Sequence, residues 1–247
     1  MRILLGEFIG TFVLVGIGCG SVGIHILYPS FTLPYIALTW SFAVALGIYL
    51  SRPYSDAHLN PAVTFAMFLN KRIVKAEISK YLTGQFFGAL FASLILFLSF
   101  NSSLIEFEGN NNIVRDSMEG IATGKMFGEY YLNETIQTAF IAEGMGTCIL
   151  VLMIFVLTSK KLYHNKLTPL FIGITVGLLI MVIAPITQAG LNPFRDLAPR
   201  IISYYTGWKT LAFSAEYLGW FTVYVVAPIS GSYLGVLLYK ELEKSIQ

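Results

Sequence analysis

Two Asn-Pro pairs are the residues of this chain best placed to do chemistry, and that chemistry is hydrogen bonding rather than bond making. The first lies in His58-Leu59-Asn60-Pro61-Ala62-Val63-Thr64 and the second in Gly190-Leu191-Asn192-Pro193-Phe194-Arg195-Asp196. Asn is favoured at a helix N-cap and Pro at the first helical position, so each pair reads as a helix start. The helices that follow are short, about 60–70 before Lys71-Arg72 and about 192–204 before Tyr205-Thr206-Gly207. Crossing a bilayer takes about 20 residues, so neither helix spans one alone. Two half-helices entering from opposite faces would meet N-terminus to N-terminus at the midplane. Their positive dipole ends would converge there and raise the energy of any cation between them.

The Asn60 and Asn192 amides can then donate to a passing oxygen. Unwound backbone ahead of each helix would present carbonyls, from Asp56, Ala57, His58 and Leu59 on one side and from Gln188, Ala189, Gly190 and Leu191 on the other. Irregular backbone at membrane depth is tolerated where it lines a cavity. Central donors flanked by acceptors suit water or a polyol and repel ions. Arg195, three residues after Asn192, carries a fork of donors that can hold a hydroxyl and repel cations. The competing reading of Arg195 is a structural side chain paired with a loop carbonyl.

The elements that position these residues are membrane helices. The chain of 247 residues is 55% hydrophobic and 12% charged, against roughly 25% charged for a soluble domain. Asp, Glu, Lys and Arg are absent from Phe8 to Ser51, Tyr81 to Ile105, Gly144 to Ser159, Leu167 to Phe194 and Tyr217 to Tyr239. The first run accommodates two spans, broken near Pro29 and Pro34. Six spans result, at 3–27, 34–52, 77–100, 134–158, 167–187 and 217–240. The first is too long for a cleavable leader and shares a pattern with residues from 143 onward. Basic residues set the orientation. Arg2, Arg52, Lys71, Arg72, Lys75, Lys80, Lys160, Lys161, Lys166, Lys240 and Lys244 fall on one side, and Arg115, Lys125, Arg195, Arg200 and Lys209 on the other. Both termini are therefore expected to be cytoplasmic in an integral, multi-pass protein of the cytoplasmic or plasma membrane. The 101–135 segment is then an acidic outer loop, holding the sequons at Asn101 and Asn133. The net charge of +2 points to no nucleic-acid partner. Cys19 and Cys148 fall inside spans and imply no disulfide framework.

The pattern is doubled. Glu7-x-x-Gly10-Thr11 recurs as Glu143-x-x-Gly146-Thr147, Asn60-Pro61 as Asn192-Pro193, and Gln85-x-x-Gly88-x-x-x-Ala92 as Pro228-x-x-Gly231-x-x-x-Gly235. Three spans per half is an odd number, so the halves, approximately 1–105 and 134–247, would be inverted repeats within one channel domain. Such proteins place their site between the repeats. Glycine pairs at small-x-x-x-small spacing (Gly6/Gly10, Gly84/Gly88, Gly173/Gly177, Gly231/Gly235) read as close helix packing.

The opening Glu7-Phe8-x-Gly10-Thr11, both Asn-Pro motifs, Arg195 and the repeat together resemble the aquaporin, or major intrinsic protein, family over nearly the whole chain. The resemblance implies an all-α membrane protein, with six transmembrane helices plus two re-entrant half-helices, in a homotetramer with one pore per subunit. It implies a pore motif of Asn60, Pro61, Ala62, Asn192, Pro193 and Phe194, with loops from Ala57 to Leu59 and Gln188 to Leu191 lining the path. It implies an outer constriction at Trp40, Ile180, Ala189 and Arg195, twenty before the first Asn, twelve and three before the second, and three after it. Trp40 and the lack of a His at 180 resemble the glycerol-facilitator branch, as do Asp196 and Arg200. Tyr224, Val225 and the missing loop Phe depart from that branch. Phe194 stands where the family usually has Ala, Asp56 where Gly is common, and the outer loop is long. In this family glutamates such as Glu7 and Glu143 brace the re-entrant loops; a proton relay is the alternative.

The expected function is a passive channel for glycerol, water and similar small uncharged solutes that excludes ions and protons. The alternative is a water-selective pore with little glycerol flux, favoured if Phe194 or the outer loop narrows the path. An ion-coupled transporter would need a titratable midplane acid, where this chain has Asn60 and Asn192. An intramembrane enzyme would need a cluster, and His25, His58 and His164 are scattered. His58 is assigned to the inner vestibule or to loop structure. The expected surroundings are lipid and small neutral solutes, with no cofactor and no metal.

Overall fold

The computed structural model describes residues 1–131, 133–159, 166–213 and 218–246. Lys160, Lys161, His164 and Tyr217 lie outside the described residues. The described residues form helices, turns and loops with no strand. The helices are α1 (Arg2–Leu27), α2 (Leu33–Ser51), α3 (Pro61–Leu69), α4 (Lys75–Asn110), α5 (Ile121–Gly124), α6 (Ile136–Leu157), α7 (Thr168–Thr187), α8 (Pro193–Ser203), α9 (Gly219–Phe221) and α10 (Ala227–Ile246). A wide turn at Thr222–Val226 joins α9 to α10, giving one long helix. Six helices are long and apolar enough to cross a membrane: α1, α2, α4, α6, α7 and the α9–α10 unit. Leu38, Leu98, Leu178 and Val182 lie exposed on their outer faces. Apolar surface on that scale suits a lipid solvent rather than water.

The helices pack in matched sets. α1 lies against α4 and α2, α6 lies against α10 and α7, and α2 meets α7 across the centre. α3 packs on α10 and α4, while α8 packs on α4. Lipid supplies no hydrophobic drive between helices, so close backbone approach has to supply van der Waals contact. Gly88 shows this, since a Cβ there would sit 2.5 Å from the Phe8 carbonyl oxygen of α1. Gly231 holds the corresponding place on α10, where a Cβ would collide with the Gly144 carbonyl oxygen of α6. Cys19 and Cys148 are both buried free thiols.

One boundary differs from the sequence expectation. α4 runs to Asn110 rather than to about residue 100, so the segment that follows it starts ten residues later and Asn101 is helical rather than in a loop. Thirty-six residues make a helix about 54 Å long, beyond the ~30 Å hydrocarbon core. The extra turns persist because they carry contacts of their own. Leu104 is buried, and the Glu108 carboxylate accepts from Arg115 Nε at 2.8 Å and from the Thr123 hydroxyl at 2.7 Å. Beyond α4, a 3-10 turn at Met118–Gly120 leads into α5. After α8 the chain reverses through Tyr204–Trp208, where Gly207 has φ of 125°. That is a conformation L side chains rarely adopt.

Candidate functional site

α3 and α8 begin as their sequences dictate. Asn60 caps α3, its side-chain oxygen accepting from the Ala62 N–H at 2.8 Å, with Pro61 in the first turn. Asn192 caps α8, accepting from the Phe194 and Arg195 N–H groups at 3.1 and 3.2 Å, with Pro193 following. The two caps are joined. Asn60 Nδ2 donates to the Leu191 carbonyl and Asn192 Nδ2 to the Leu59 carbonyl, both at 2.8 Å. The half-helices therefore meet by their N-termini, and each Asn amide spends one N–H on the opposite loop. An amide nitrogen has two donors, so one per Asn is left. This narrows the sequence expectation: the Leu59 and Leu191 carbonyls each already accept one hydrogen bond across the seam, which leaves each one further lone pair.

The loops ahead of the caps hold an extended, left-handed backbone. Ala57, Leu59, Ala189 and Leu191 have φ of 56°, 54°, 61° and 52°, and Gln188 has 66°. Such angles in non-glycine residues cost about 1–2 kcal/mol each and persist only where the surroundings fix them. Two buried carboxylates fix them here. Glu7 accepts from the His58 and Leu59 N–H groups at 3.0 and 2.8 Å, from the Ser55 hydroxyl at 2.7 Å and from Gln85 Nε2 at 2.8 Å. Glu143 accepts from the Gly190 and Leu191 N–H groups at 2.8 and 2.7 Å and from the Thr187 hydroxyl at 2.5 Å. Each carboxylate thus ties two successive N–H groups inward, which turns the loop carbonyls the other way. Tyr224, fully buried, donates to the Thr187 carbonyl at 3.1 Å and fills the space beside Gly190.

The loops and caps line one cavity of about 280 Å³. Ala57, His58, Leu59, Asn60, Gln188, Ala189, Gly190, Leu191, Asn192 and Arg195 all face it, together with Trp40 and Ile180. Leu14, Val44, Ile48, Val63, Leu150, Ile154, Ile172 and Val176 supply apolar wall. Pro61, Ala62, Pro193, Glu7 and Glu143 are buried outside the lining. Phe194 is half-buried and also outside it, set edge-on against Phe86 of α4 with ring centroids 5.5 Å apart. The Trp40 ring has the Arg195 guanidinium 4.6 Å from its centroid, within cation–π range. Gly18 makes room for the indole, since a Cβ there would approach it to 2.5 Å.

At one end of the cavity, His58 stacks on Tyr81 at 4.1 Å between centroids, and its Nδ1 lies 3.2 Å from the Thr64 hydroxyl. Asp56 is exposed there and accepts from the Tyr81 hydroxyl at 3.2 Å. A neighbouring hollow is bordered by Arg52, Ser55, Asp56 and Arg72. At the other end, His25, Lys125 and Glu129 join the lining. His25 Nδ1 is 2.8 Å from the Phe31 carbonyl oxygen. Burial pulls Lys125 below the ordinary lysine range and pushes Tyr130 above the usual phenol value.

Several residues around this site were not reached from the sequence. Ser55 and Thr187, each five residues before a capping Asn, were readable from the repeat. Gln85, which also donates to Thr64 at 2.9 Å, stood in a repeated landmark with no role assigned to it. Glu129 carried no signal beyond being one acid of an acidic segment. It is buried, in ion-pair contact with Arg195.

Comparison with known proteins agrees with this architecture. The family model described as major intrinsic protein matches residues 1–239. The glycerol uptake facilitator protein of Pseudomonas aeruginosa is 35% identical over 243 residues, covering 96% of this chain and 87% of that one. The propanediol uptake facilitator of Salmonella typhimurium is 34% identical over 242 residues, covering 95% and 90%. Among solved structures, the aquaglyceroporin from Plasmodium falciparum superposes with a TM-score of 0.80 at 26% identity, covering 99% of this chain and 97% of that one. With its doubled half-helix architecture and a family match over nearly its whole length, this chain belongs to the major intrinsic protein family.

Proposed function

We propose that this protein is a passive membrane channel that conducts glycerol, water and similar small uncharged solutes. The observation that carries the reading is the composition of the cavity lining. Between the charged and imidazole side chains of the two mouths, loop backbone, two Asn amides and Arg195 supply polar groups, and aliphatic side chains and the Trp40 indole supply apolar wall. A polyol has the same two characters, hydroxyls along a hydrocarbon backbone. The relatives named for glycerol and propanediol uptake support this solute class.

The roles follow from placement. Trp40, Ile180, Ala189 and Arg195 form the outer constriction, and His58 and Asp56 stand at the inner mouth. Asn60 and Asn192 offer donors where two helix N-termini meet, which disfavours cations at that point. Glu7 and Glu143 brace the loops, Glu7 by accepting four hydrogen bonds and Glu143 by accepting three. Phe194 against Phe86 supports the wider, glycerol-passing reading over a water-only pore. The halves, about 1–105 and 134–247, act as inverted repeats of one domain. Both termini face the cytoplasm by the distribution of basic residues, and the family resemblance favours a homotetramer. Nothing is chemically transformed in this reading.

The test is stopped-flow light scattering on proteoliposomes. Fast shrinkage in an impermeant osmolyte, and fast glycerol re-entry after shrinkage in glycerol, are expected. Re-entry no faster than in protein-free vesicles would refute glycerol conduction.

A further inference from the structure

The outer ring holds an acid that its four-residue description omits. Glu129 comes from the segment between α5 and α6, is 1% exposed, lines the same cavity as Arg195, and is in ion-pair contact with Arg195 Nη1. Among the described residues Arg195 makes no other ion pair. The segment is built in rather than draped over the mouth, since Met126 and Phe127 are fully buried and the Phe127 ring lies 5.4 Å from that of Trp208.

A second buried pair places the Glu129 backbone. Asp196 Oδ1 accepts from the Glu129 N–H at 2.7 Å, and Arg200 donates to the Glu129 carbonyl through Nη2. Asp196 and Arg200 are joined at 2.7 Å, both are fully buried, and Arg200 Nη1 donates to the Ala212 carbonyl at 2.5 Å. Gly128 allows this approach, because a Cβ there would come within 2.7 Å of Arg200 Cγ. α8 therefore supplies, within residues 195 to 200, both the cation of the ring, Arg195, and the clamp that fixes the ring's acid.

We propose that Glu129 is a specificity-determining residue of the outer ring, and that it turns a lone cation into a neutral donor–acceptor pair. The inference rests on the reading that Arg195 stands in the solute path. A buried charge without its partner is costly and attracts a counter-ion. The ring's discrimination by charge therefore depends on the balance of the two residues, not on Arg195 alone. Asp196 and Arg200 are positioning residues that act through Glu129.

A four-protein comparison in proteoliposomes tests this: parent, Arg195→Ala, Glu129→Gln, and both together. The readouts are potassium and proton leak, with water efflux confirming a folded pore in each. Arg195→Ala leaves Glu129 unpaired, and its cation leak is expected to exceed the parent's by roughly tenfold or more. Adding Glu129→Gln is expected to remove most of that rise, and Glu129→Gln alone should leak no more cation than the parent. Glu129→Ala is run beside Glu129→Gln, so a folding failure of one leaves the comparison intact. Equal leak in Arg195→Ala and the double variant, no rise in Arg195→Ala, or a rise in Glu129→Gln alone would each overturn the inference. Loss of glycerol flux in the parent would instead overturn the channel reading.

Discussion

Replacing Glu7 or Glu143 with Gln is the sharpest test of how the re-entrant loops are held. The change keeps volume but converts one acceptor oxygen into a donor nitrogen. Glu143 meets three donors, the Gly190 and Leu191 N–H groups and the Thr187 hydroxyl. A hydroxyl can rotate and accept, but a backbone N–H cannot. Whichever way the substituted amide turns in Glu143→Gln, one loop N–H faces an NH2 group. Glu7 meets four donors, and one of them has an escape. The Gln85 side-chain oxygen is buried without a hydrogen bond, so a flipped Gln85 could accept from the new amide. Even then either His58 or Leu59 loses its partner. Each variant therefore leaves at least one buried N–H unsatisfied, after losing a bond to an ionised acceptor, at a cost of about 1.5–3 kcal/mol. For a chain of this size each kcal/mol moves the melting midpoint by roughly 2–4 °C, so a fall of about 3–12 °C is expected. The assay is tryptophan-fluorescence melting in detergent, paired with glycerol re-entry in liposomes. Replacement by Ala, which leaves both loop N–H groups at each site without their acceptor, should cost more than Gln at both sites. Unchanged midpoints and unchanged flux in both Gln variants would refute the bracing argument.

Phe194→Ala should leave glycerol and water permeability within about twofold of the parent, because the ring packs on Phe86 outside the cavity; stopped-flow rates check this, and a large gain in flux would place the ring in the path. Trp40→Ala removes the indole that faces Arg195 and widens the ring, so a bulkier polyol such as a four-carbon tetritol should enter measurably faster relative to glycerol. Asn192→Ala deletes a cap that accepts from two N–H groups and a bond to Leu59, a loss of roughly 1–3 kcal/mol, read as a lower melting midpoint with slowed flux. Gly88→Val drives a branched side chain against the Phe8 carbonyl and should reduce the yield of folded protein, measured by size-exclusion chromatography.

What the sequence made legible was local or repeated. The Asn-Pro starts depend only on capping chemistry and on a Pro that fits the first turn, so they could be read without knowing what surrounds them. The spans follow from uncharged runs, because lipid penalises every unpaired charge. Trp40, Ile180 and Ala189 were placed by offsets from a capping Asn that the family resemblance implies, and the structure puts all three on one cavity. The end of α4 was misjudged for a related reason. Glu106 and Glu108 end an uncharged run, but a helix does not have to stop where such a run ends when Glu108 can pair with Arg115 and Thr123. Charge marks where lipid ends and not where hydrogen-bonded turns end.

Glu129 was illegible because its role depends on a contact with a residue far along the chain. Nothing near it in sequence distinguishes it from Glu119, which is exposed, donor-bound to Ser117 and held below the ordinary carboxylate range by that hydroxyl. The difference is made by α8. There the residue after Arg195 is an acid, and a base follows one turn later, so the pair can grip the main chain of Glu129 from both its N–H and its carbonyl. On sequence alone Asp196 and Arg200 are markers of a solute class. In the structure they have a physical task that explains why acid and base occur together: either one alone would be an uncompensated buried charge, at a cost of several kcal/mol. The same reasoning connects Glu7 and Glu143 to their loops. At each level of the cavity a fully buried carboxylate faces inward-turned backbone N–H groups. The placement of the solute path is thus set less by the six long helices than by acids that cannot be left unsatisfied.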